Sequence, residues 1–357
     1  MNLPPSQPAR TAWSLHPGDV LGCYQDWPAP DIIIADGPYS VGEGYPGDPM
    51  NLAKLPEWYE PHVAAWARAA TPRTLLWFWN TEVGWATVHP VLARHGWHYE
   101  QACVWDKGLR HAAGRVNSHT IRHFPVVTEL CVMYSRPVEL ASGDKMLPLQ
   151  QWMRAEWLRT GLPLRLANQA CGVKNAATRK YLTADNLWYP PPGTALVAMA
   201  KYANQHGRPE GRPYFELACD ERGVAAGWDE QRLQHRWEHT LRYRWHHVHG
   251  ISNVWDCPPV SGPERLRGRG LRAAAGRQNL GADNSTHFNQ KPLMLMRRIL
   301  QACTDPGDVI WEPFGGLCTA SVAAVQLGRA AYAAELVPSF AEAARERLQM
   351  ASTNLFA

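Results

Sequence analysis

The sequence predicts an α/β fold in which one mostly parallel sheet carries helices on both faces. Three observations predict it. Asp31-Ile32-Ile33-Ile34-Ala35 is a β-branched run with no side fit for water, so it belongs at the centre of a covered sheet. Residues 309 to 335 read as one βαβ unit. From residue 56 to residue 134, strand-like and helix-like stretches alternate, as the connections of a single layered sheet do.

The chain is long enough for one large or two medium domains, at 357 residues with 45% apolar and 19% charged. Its formal charge of +4 permits a polyanionic partner without demanding one. The eight cysteines are scattered singly, with no C-x-x-C, which fits a reducing compartment rather than a disulfide framework or a zinc site. The N-terminus lacks a basic n-region and an apolar h-region, and no run of about 18 apolar residues occurs. A cytoplasmic protein that does not engage a membrane is the expectation.

In chain order, Leu15 to Cys23 contains the turn His-Pro-Gly-Asp. The strand 31–35 ends in Asp36-Gly37-Pro38-Tyr39, an acid, two turn residues and an aromatic, at the strand end where open α/β sheets place ligands. A turn with a partly buried tyrosine is the plainer reading of these residues. The chemical reading is a site for a planar base with an exocyclic amino group. Asp36 and the Gly37 carbonyl would accept that group's two hydrogens while Tyr39 stacks on the ring.

A loop rich in glycine and proline (41–49) follows, then a helix from Pro56 to Ala70, a strand from Thr74 to Trp79, a helix from Val83 to Arg94, and strands from Tyr99 to Trp105 and Val126 to Tyr134. In the βαβ unit, Val309 to Trp311 and Ala330 to Ala334 are the strands and Thr319 to Leu327 the helix. Gly315 and Gly316 let backbone approach a ligand, and the helix that follows offers free N–H groups. Glu335, about twenty residues further on, is placed to accept ribose hydroxyls. An ordinary strand-turn-helix with a carboxylate at a loop is the alternative.

Together these pieces resemble the permuted β class of DNA amino-methyltransferases, whose catalytic motif is an Asp, Asn or Ser followed by Pro-Pro and an aromatic. Asp36-Gly37-Pro38-Tyr39 resembles it with Gly37 for the first proline. Glu312-Pro313-Phe314-Gly315-Gly316-Leu317-Cys318-Thr319 is similar to the family's Asp-Pro-Phe-x-Gly-x-Gly-Thr cofactor motif except at Glu312 and Cys318. His287-Phe288-Asn289-Gln290-Lys291-Pro292-Leu293 resembles the Lys-Pro segment that encloses the methionine part of S-adenosylmethionine. Trp105-Asp106-Lys107, the strand around Glu129, and Asn253-Val254-Trp255 also stand in the family's order.

The resemblance covers roughly residues 12 to 135 and 251 to 348. It implies a Rossmann-like S-adenosylmethionine-dependent methyltransferase sheet in two halves, 1–135 catalytic and 287–357 cofactor-binding. It implies cofactor contacts at Lys291, Pro292, Glu312, Pro313, Phe314, Gly315, Gly316, Thr319 and Glu335, and methyl transfer to N4 of cytosine or N6 of adenine in a flipped nucleotide. Gly37 keeps the carbonyl acceptor but leaves unfixed a φ angle that proline would set. Cys318, in place of glycine, is expected to narrow the approach to the cofactor.

Residues 136–250 and 261–286 lack the alternation, and the span 136–286 is expected to hold a mostly helical target-recognition region and a basic loop, inserted in the sheet. Leu166 to Tyr181 reads as helix, turn at Gly172, helix, with Lys174, Asn175, Arg179 and Lys180 placed for a major groove; a generic αα-hairpin fits equally. Arg265, Arg267, Arg269 and Arg272 mark a loop suited to phosphates, with a solvated surface loop as the alternative. Double-stranded DNA is the expected partner, a homodimer and a cognate restriction nuclease on a separate chain are compatible with it, and no metal is expected. The rival activities are RNA or protein-glutamine N-methylation, whose enzymes usually place the cofactor motif first, and an inactive DNA-binding relic of the fold.

Overall fold

A computed structural model describes residues 13–40, 49, 51–111, 120–185, 187–209, 211–217, 230–239, 243–265 and 290–353. The chain divides into two units, residues 1–136 with 243–357, and residues 137–242.

In the first unit the strands are β1 (Trp13–Pro17), β2 (Ile32–Ala35), β3 (Leu75–Asn80), β4 (His98–Asp106), β5 (Thr128–Ser135), β8 (Val254–Asp256), β9 (Val309–Glu312) and β10 (Ala330–Glu335), while β6 (Glu139–Ser142) and β7 (Lys145–Pro148) belong to the second unit. They form one sheet in the order β1-β10-β9-β2-β3-β5-β4-β8. Every recorded pairing is parallel except those of β5 with β3 and β4. Every residue of β2 and of β3 is buried, so neither strand has a polar face.

Helices Leu55–Ala69 and Glu82–Arg94 supply one apolar layer, around Tyr59, Trp66, Val88 and Leu92. Helices Leu293–Cys303, Thr319–Gln326 and Pro338–Thr353 supply the other, around Ile299, Leu300, Val322 and Leu348. The parallel strands bring Asp36, Asn80, Lys107 and Glu312 to one edge of the sheet, and antiparallel β5 starts there with Glu129.

Two strands differ from expectation. β1 lies where only a turn was read, because an edge strand that buries Leu15 alone is too short and too polar to show a period. β8, which contains Val254 and Trp255 of the family-like Asn253-Val254-Trp255, pairs with β4 although no strand was read there, and the second compact unit runs from Pro137 to Arg242.

The second unit holds the hairpin β6 (Glu139–Ser142) and β7 (Lys145–Pro148) and helices Leu149–Arg159, Arg165–Ala170, Gly193–His206 and Glu230–His239. Its core is built on Trp152, Trp157, Met199, Phe215 and Trp237. The second half of the expected helix-turn-helix is one π turn, Ala177–Tyr181. The Asn168 side chain binds both the N–H and the hydroxyl of Thr178, each at 3.1 Å, and ties that turn to the preceding helix. Lys174, Asn175, Arg179 and Lys180 are exposed around it.

Glu156 is wholly buried here, accepting from Arg159 at 2.9 Å, from Arg212 at 2.5 Å and from the Phe215 N–H at 2.9 Å. Glu156→Ala leaves the two guanidiniums with only backbone carbonyl acceptors and the Phe215 N–H unpaired, and the expected loss is about 2 kcal/mol. It would be read as lost amide-exchange protection in residues 149–215. Unchanged protection would show the ion pairs to be incidental.

Candidate active site

Asp36 emerges at the carboxyl end of β2 and begins a turn held from two sides. Asn80 Nδ2, from the last residue of β3, donates to the Pro38 carbonyl at 3.1 Å, and Tyr59 Oη donates to the same oxygen at 3.3 Å. The conformational freedom expected of Gly37 is thus taken up by its neighbours. A Cβ at position 37 would lie 2.5 Å from Tyr59 Oη and 2.7 Å from Phe314 Cδ2, so no side chain fits without displacing the buried Tyr59 and the half-buried Phe314. Gly37→Ala is expected to push the turn off its supports and displace Phe314 at the cavity wall, cutting turnover about a hundredfold. Wild-type kcat in that variant would show the turn to be indifferent to this contact.

Tyr39 Oη lies 2.9 Å from Asp36 Oδ1 and 3.2 Å from Glu129 Oε2. Lys291 Nζ lies 2.9 Å from Asp36 Oδ1 and 3.3 Å from Glu129 Oε2, and Lys107 donates to Glu129 Oε1. Lys291, read from the sequence as part of the cofactor enclosure, is only 4% exposed, and its ammonium is directed at Asp36 in the turn after β2. Asp36, Lys291, Glu129 and Lys107 form an alternating row of charges.

Burial pushes the Asp36 carboxyl above its usual range, against the pull of the Lys291 ammonium. Burial acts the same way on Glu129, but there Lys291 and Lys107 outweigh it and hold the carboxyl below its usual range. Burial opposes the charge on Lys291, and the two carboxylates overcome it and keep the amine protonated. Asp36 Oδ2 has no hydrogen-bond partner among the described residues, and Asp36 lines a cavity.

That cavity, of about 430 Å³, runs from the Asp36–Tyr39 turn to the glycine loop after β9 and is lined by Asp36, Tyr39, Lys291, Pro313, Phe314, Gly315, Gly316, Thr319 and Glu335. Its volume falls in the ~300–1,000 Å³ range of small-molecule sites. Gly315 leaves no space for a side chain, since a Cβ would lie 2.6 Å from Cys318 Sγ and 3.0 Å from the Ala334 carbonyl. Glu335 Oε2 accepts the Gly316 N–H at 2.6 Å and Oε1 the Val337 N–H at 2.8 Å, which fixes the carboxylate at the cavity wall. Burial pushes its carboxyl up.

Glu312 also lines the cavity, but its oxygens serve the helix Thr319–Gln326. Oε1 accepts the Ala320 N–H at 3.0 Å, and Oε2 accepts the Ser321 N–H at 2.7 Å and hydroxyl at 2.6 Å. Burial pushes its carboxyl up to about 7 despite those donors.

Cys318 does not narrow the cavity. It is wholly buried, is not part of the lining, and adopts a left-handed conformation with φ 52° that glycine would take at less cost. Pro292 is buried at the start of the helix Leu293–Cys303 and is likewise outside the lining.

Three residues of this region were missed in the sequence. Trp58, Tyr59 and His62 sit on Leu55–Ala69 at a spacing that reads only as a core face, yet Trp58 and His62 line the cavity beside Phe314, with ring centroids 5.3 and 5.0 Å from it. Arg265 is half-buried, with Nη1 3.5 Å from the Val260 carbonyl. Arg267, Arg269 and Arg272 lie outside the described residues, as do His287 to Asn289 of the Lys-Pro segment.

A family model described as DNA methylase matches residues 30–346. The DNA adenine methyltransferase YhdJ of Escherichia coli (strain K12) is 30% identical over 101 residues, which are 28% of this chain and 29% of that protein. The match thus spans under a third of that relative's length. Among solved structures, the M1.HpyAVI–SAM complex is similar with 14% identity and a TM-score of 0.49, over 94% of this chain and 98% of that one. The cytosine-N4-specific PvuII DNA methyltransferase is similar with 11% identity and a TM-score of 0.48, over 98% and 95%.

Proposed function

The chain belongs to the DNA methylase family, and from that premise we propose that it moves a methyl group from S-adenosylmethionine to the exocyclic amino group of a DNA base, N6 of adenine or N4 of cytosine. The observation that carries the reading is the single cavity into which the catalytic turn and the glycine loop both open. The residues fit the cofactor. Gly315 admits close backbone approach, Glu335 is fixed where ribose hydroxyls would be accepted, and Phe314 and Trp58 offer aromatic faces. When bound, the cofactor supplies an electrophilic methyl group on a sulfonium.

The duplex shields an exocyclic amino group, so the target nucleotide is flipped out to reach Asp36. Asp36 Oδ2 and the Gly37 carbonyl accept the amino hydrogens and orient the nitrogen lone pair, and Tyr39 stacks on the base. Lys291 and Tyr39 both engage Oδ1, which leaves Oδ2 to the substrate and to the proton the amino group sheds. Catalysis is mainly positioning for in-line transfer.

Exposed Lys174, Asn175, Arg179 and Lys180, together with Arg265, are assigned to DNA contacts whose affinity falls as salt rises. A homodimer, a nuclease partner on another chain and a cytoplasmic location complete the reading. Among the described residues no helix is long and apolar enough to cross a membrane.

The test is to incubate the protein with unmethylated genomic DNA and labelled S-adenosylmethionine, digest the product to nucleosides and identify the labelled one by mass. Label on N6-methyladenine or N4-methylcytosine establishes the activity and the base together. Cofactor binding without label in DNA would overturn the DNA reading and direct the search to RNA or protein.

A further inference from the structure

His62 is 4% exposed and half-enclosed by aromatic rings, with centroids 4.6 Å from Trp58 and 5.0 Å from Phe314. Its tautomer follows from a chain of two hydrogen bonds. The Trp66 indole can only donate, and Nε1–H points at Tyr24 Oη over 2.9 Å. Tyr24 Oη therefore accepts there, and His62 Nδ1, at 3.0 Å, is the one acceptor among the described residues for its own proton. Nδ1 is then an acceptor, and in the neutral ring the proton sits on Nε2.

Nε2 has no hydrogen-bond partner among the described residues, is not among the sealed-off polar atoms, and belongs to a residue that lines the cavity. It is a donor available to whatever fills that space. The Leu55–Ala69 helix indicates which half of the cofactor that is. Tyr59 touches the catalytic turn, His62 stands almost a turn further along, and Trp66 beyond it reaches Tyr24, just after the cavity-lining Asp19, Val20 and Leu21. The Gly18 N–H, donating to the Glu335 carbonyl at 2.9 Å, ties that stretch to the strand end where ribose is expected.

We infer that His62 is a neutral, orientation-locked donor whose Nε2–H binds an acceptor on the nucleoside half of the cofactor, with Tyr24 and Trp66 as the residues that set its tautomer. The inference rests on the cofactor reading above. A neutral donor suits a site that must also take a sulfonium, because an imidazolium would add a like charge. Burial pushes the imidazole down to about 4, with Asp19 the one recorded charge pulling it back up, so the ring stays neutral through the physiological range.

The experiment is calorimetric titration of the full chain and its His62→Phe and His62→Gln variants with S-adenosylhomocysteine and with adenosine, alongside the ¹⁵N spectrum of the His62 ring in the unaltered protein. Phenylalanine keeps the aromatic packing and removes the donor, while glutamine restores an N–H at similar reach. The expected result is roughly tenfold weaker binding of both ligands by His62→Phe, recovery to within about threefold by His62→Gln, and a proton on Nε2 unchanged from about pH 5 to 8. Unaltered affinity in His62→Phe, a loss confined to S-adenosylhomocysteine, or a proton on Nδ1 would overturn the inference. An unaltered protein that binds neither ligand would instead sink the cofactor reading of the cavity. The spectrum decides the tautomer even if a variant fails to fold.

Discussion

Asp36→Ala is expected to lower single-turnover methylation by about a thousandfold or more, or about 4 kcal/mol of transition-state stabilisation, while cofactor and DNA binding stay close to wild type. The size follows from the geometry. Oδ2 is the one Asp36 oxygen left to the substrate, and the neighbouring Glu129 carboxylate is held by Lys107, Lys291 and Tyr39. The fold should survive, because Lys291 keeps Glu129 as a partner and Tyr39 keeps Glu129 as an acceptor. Rapid-quench assays with matched binding isotherms provide the check. Turnover within tenfold of wild type would remove Asp36 from the chemistry.

Lys291→Met is the second large effect, and it reads out in pH. The substitution removes the cation between Asp36 and Glu129 and leaves both carboxylates buried with only Lys107 to offset them. Asp36, already raised by burial, rises further once the opposing ammonium is gone. The proposed role of Asp36 needs the ionised carboxylate, so the acid limb of the pH–rate profile is expected to move to higher pH. At neutral pH the rate is expected to fall about a hundredfold and to recover partly as pH rises.

Stability follows the same sign. A carboxyl whose folded pKa lies above its unfolded value stabilises most below the unfolded value and loses that contribution as pH rises through the folded one. The variant should therefore be weakest to denaturant on the alkaline side, by about 3 kcal/mol relative to wild type. An acid limb unmoved from wild type would show that Lys291 does not govern Asp36.

Much of the site was legible because its signals are local. Ile32 to Ala35 show a buried strand by composition alone, and Asp36 to Tyr39 follow it directly. Gly315, Gly316 and Glu335 fall at the spacing that a strand-turn-helix-strand unit imposes. The rest is built from contacts between residues far apart in the chain. Lys291 meets Asp36 across 255 residues, and nothing in the Lys-Pro segment announces that its amine crosses to the catalytic turn. Lys107 and Glu129 stood in the expected order, but their pairing depends on β4 and β5 lying side by side in an antiparallel register. Glu312 carries the carboxylate that the motif calls for, and only the structure shows both oxygens on the N–H groups of Ala320 and Ser321. His62 carried no signal at all, since a histidine on the inner face of an amphipathic helix looks like any other core residue.

The strand order has a consequence for synthesis. β1 and β2 leave the ribosome among the first segments, yet in the sheet they are separated by β10 and β9, the last two strands made. A nascent chain can pair β2 with β3 as soon as both emerge, but β1 finds its neighbour only after Ala330–Glu335 has been translated. The glycine loop that faces Asp36 arrives with that same late segment. Unfinished polypeptides thus carry the Asp36–Tyr39 turn without the glycine loop and Glu335 that complete the cavity around it.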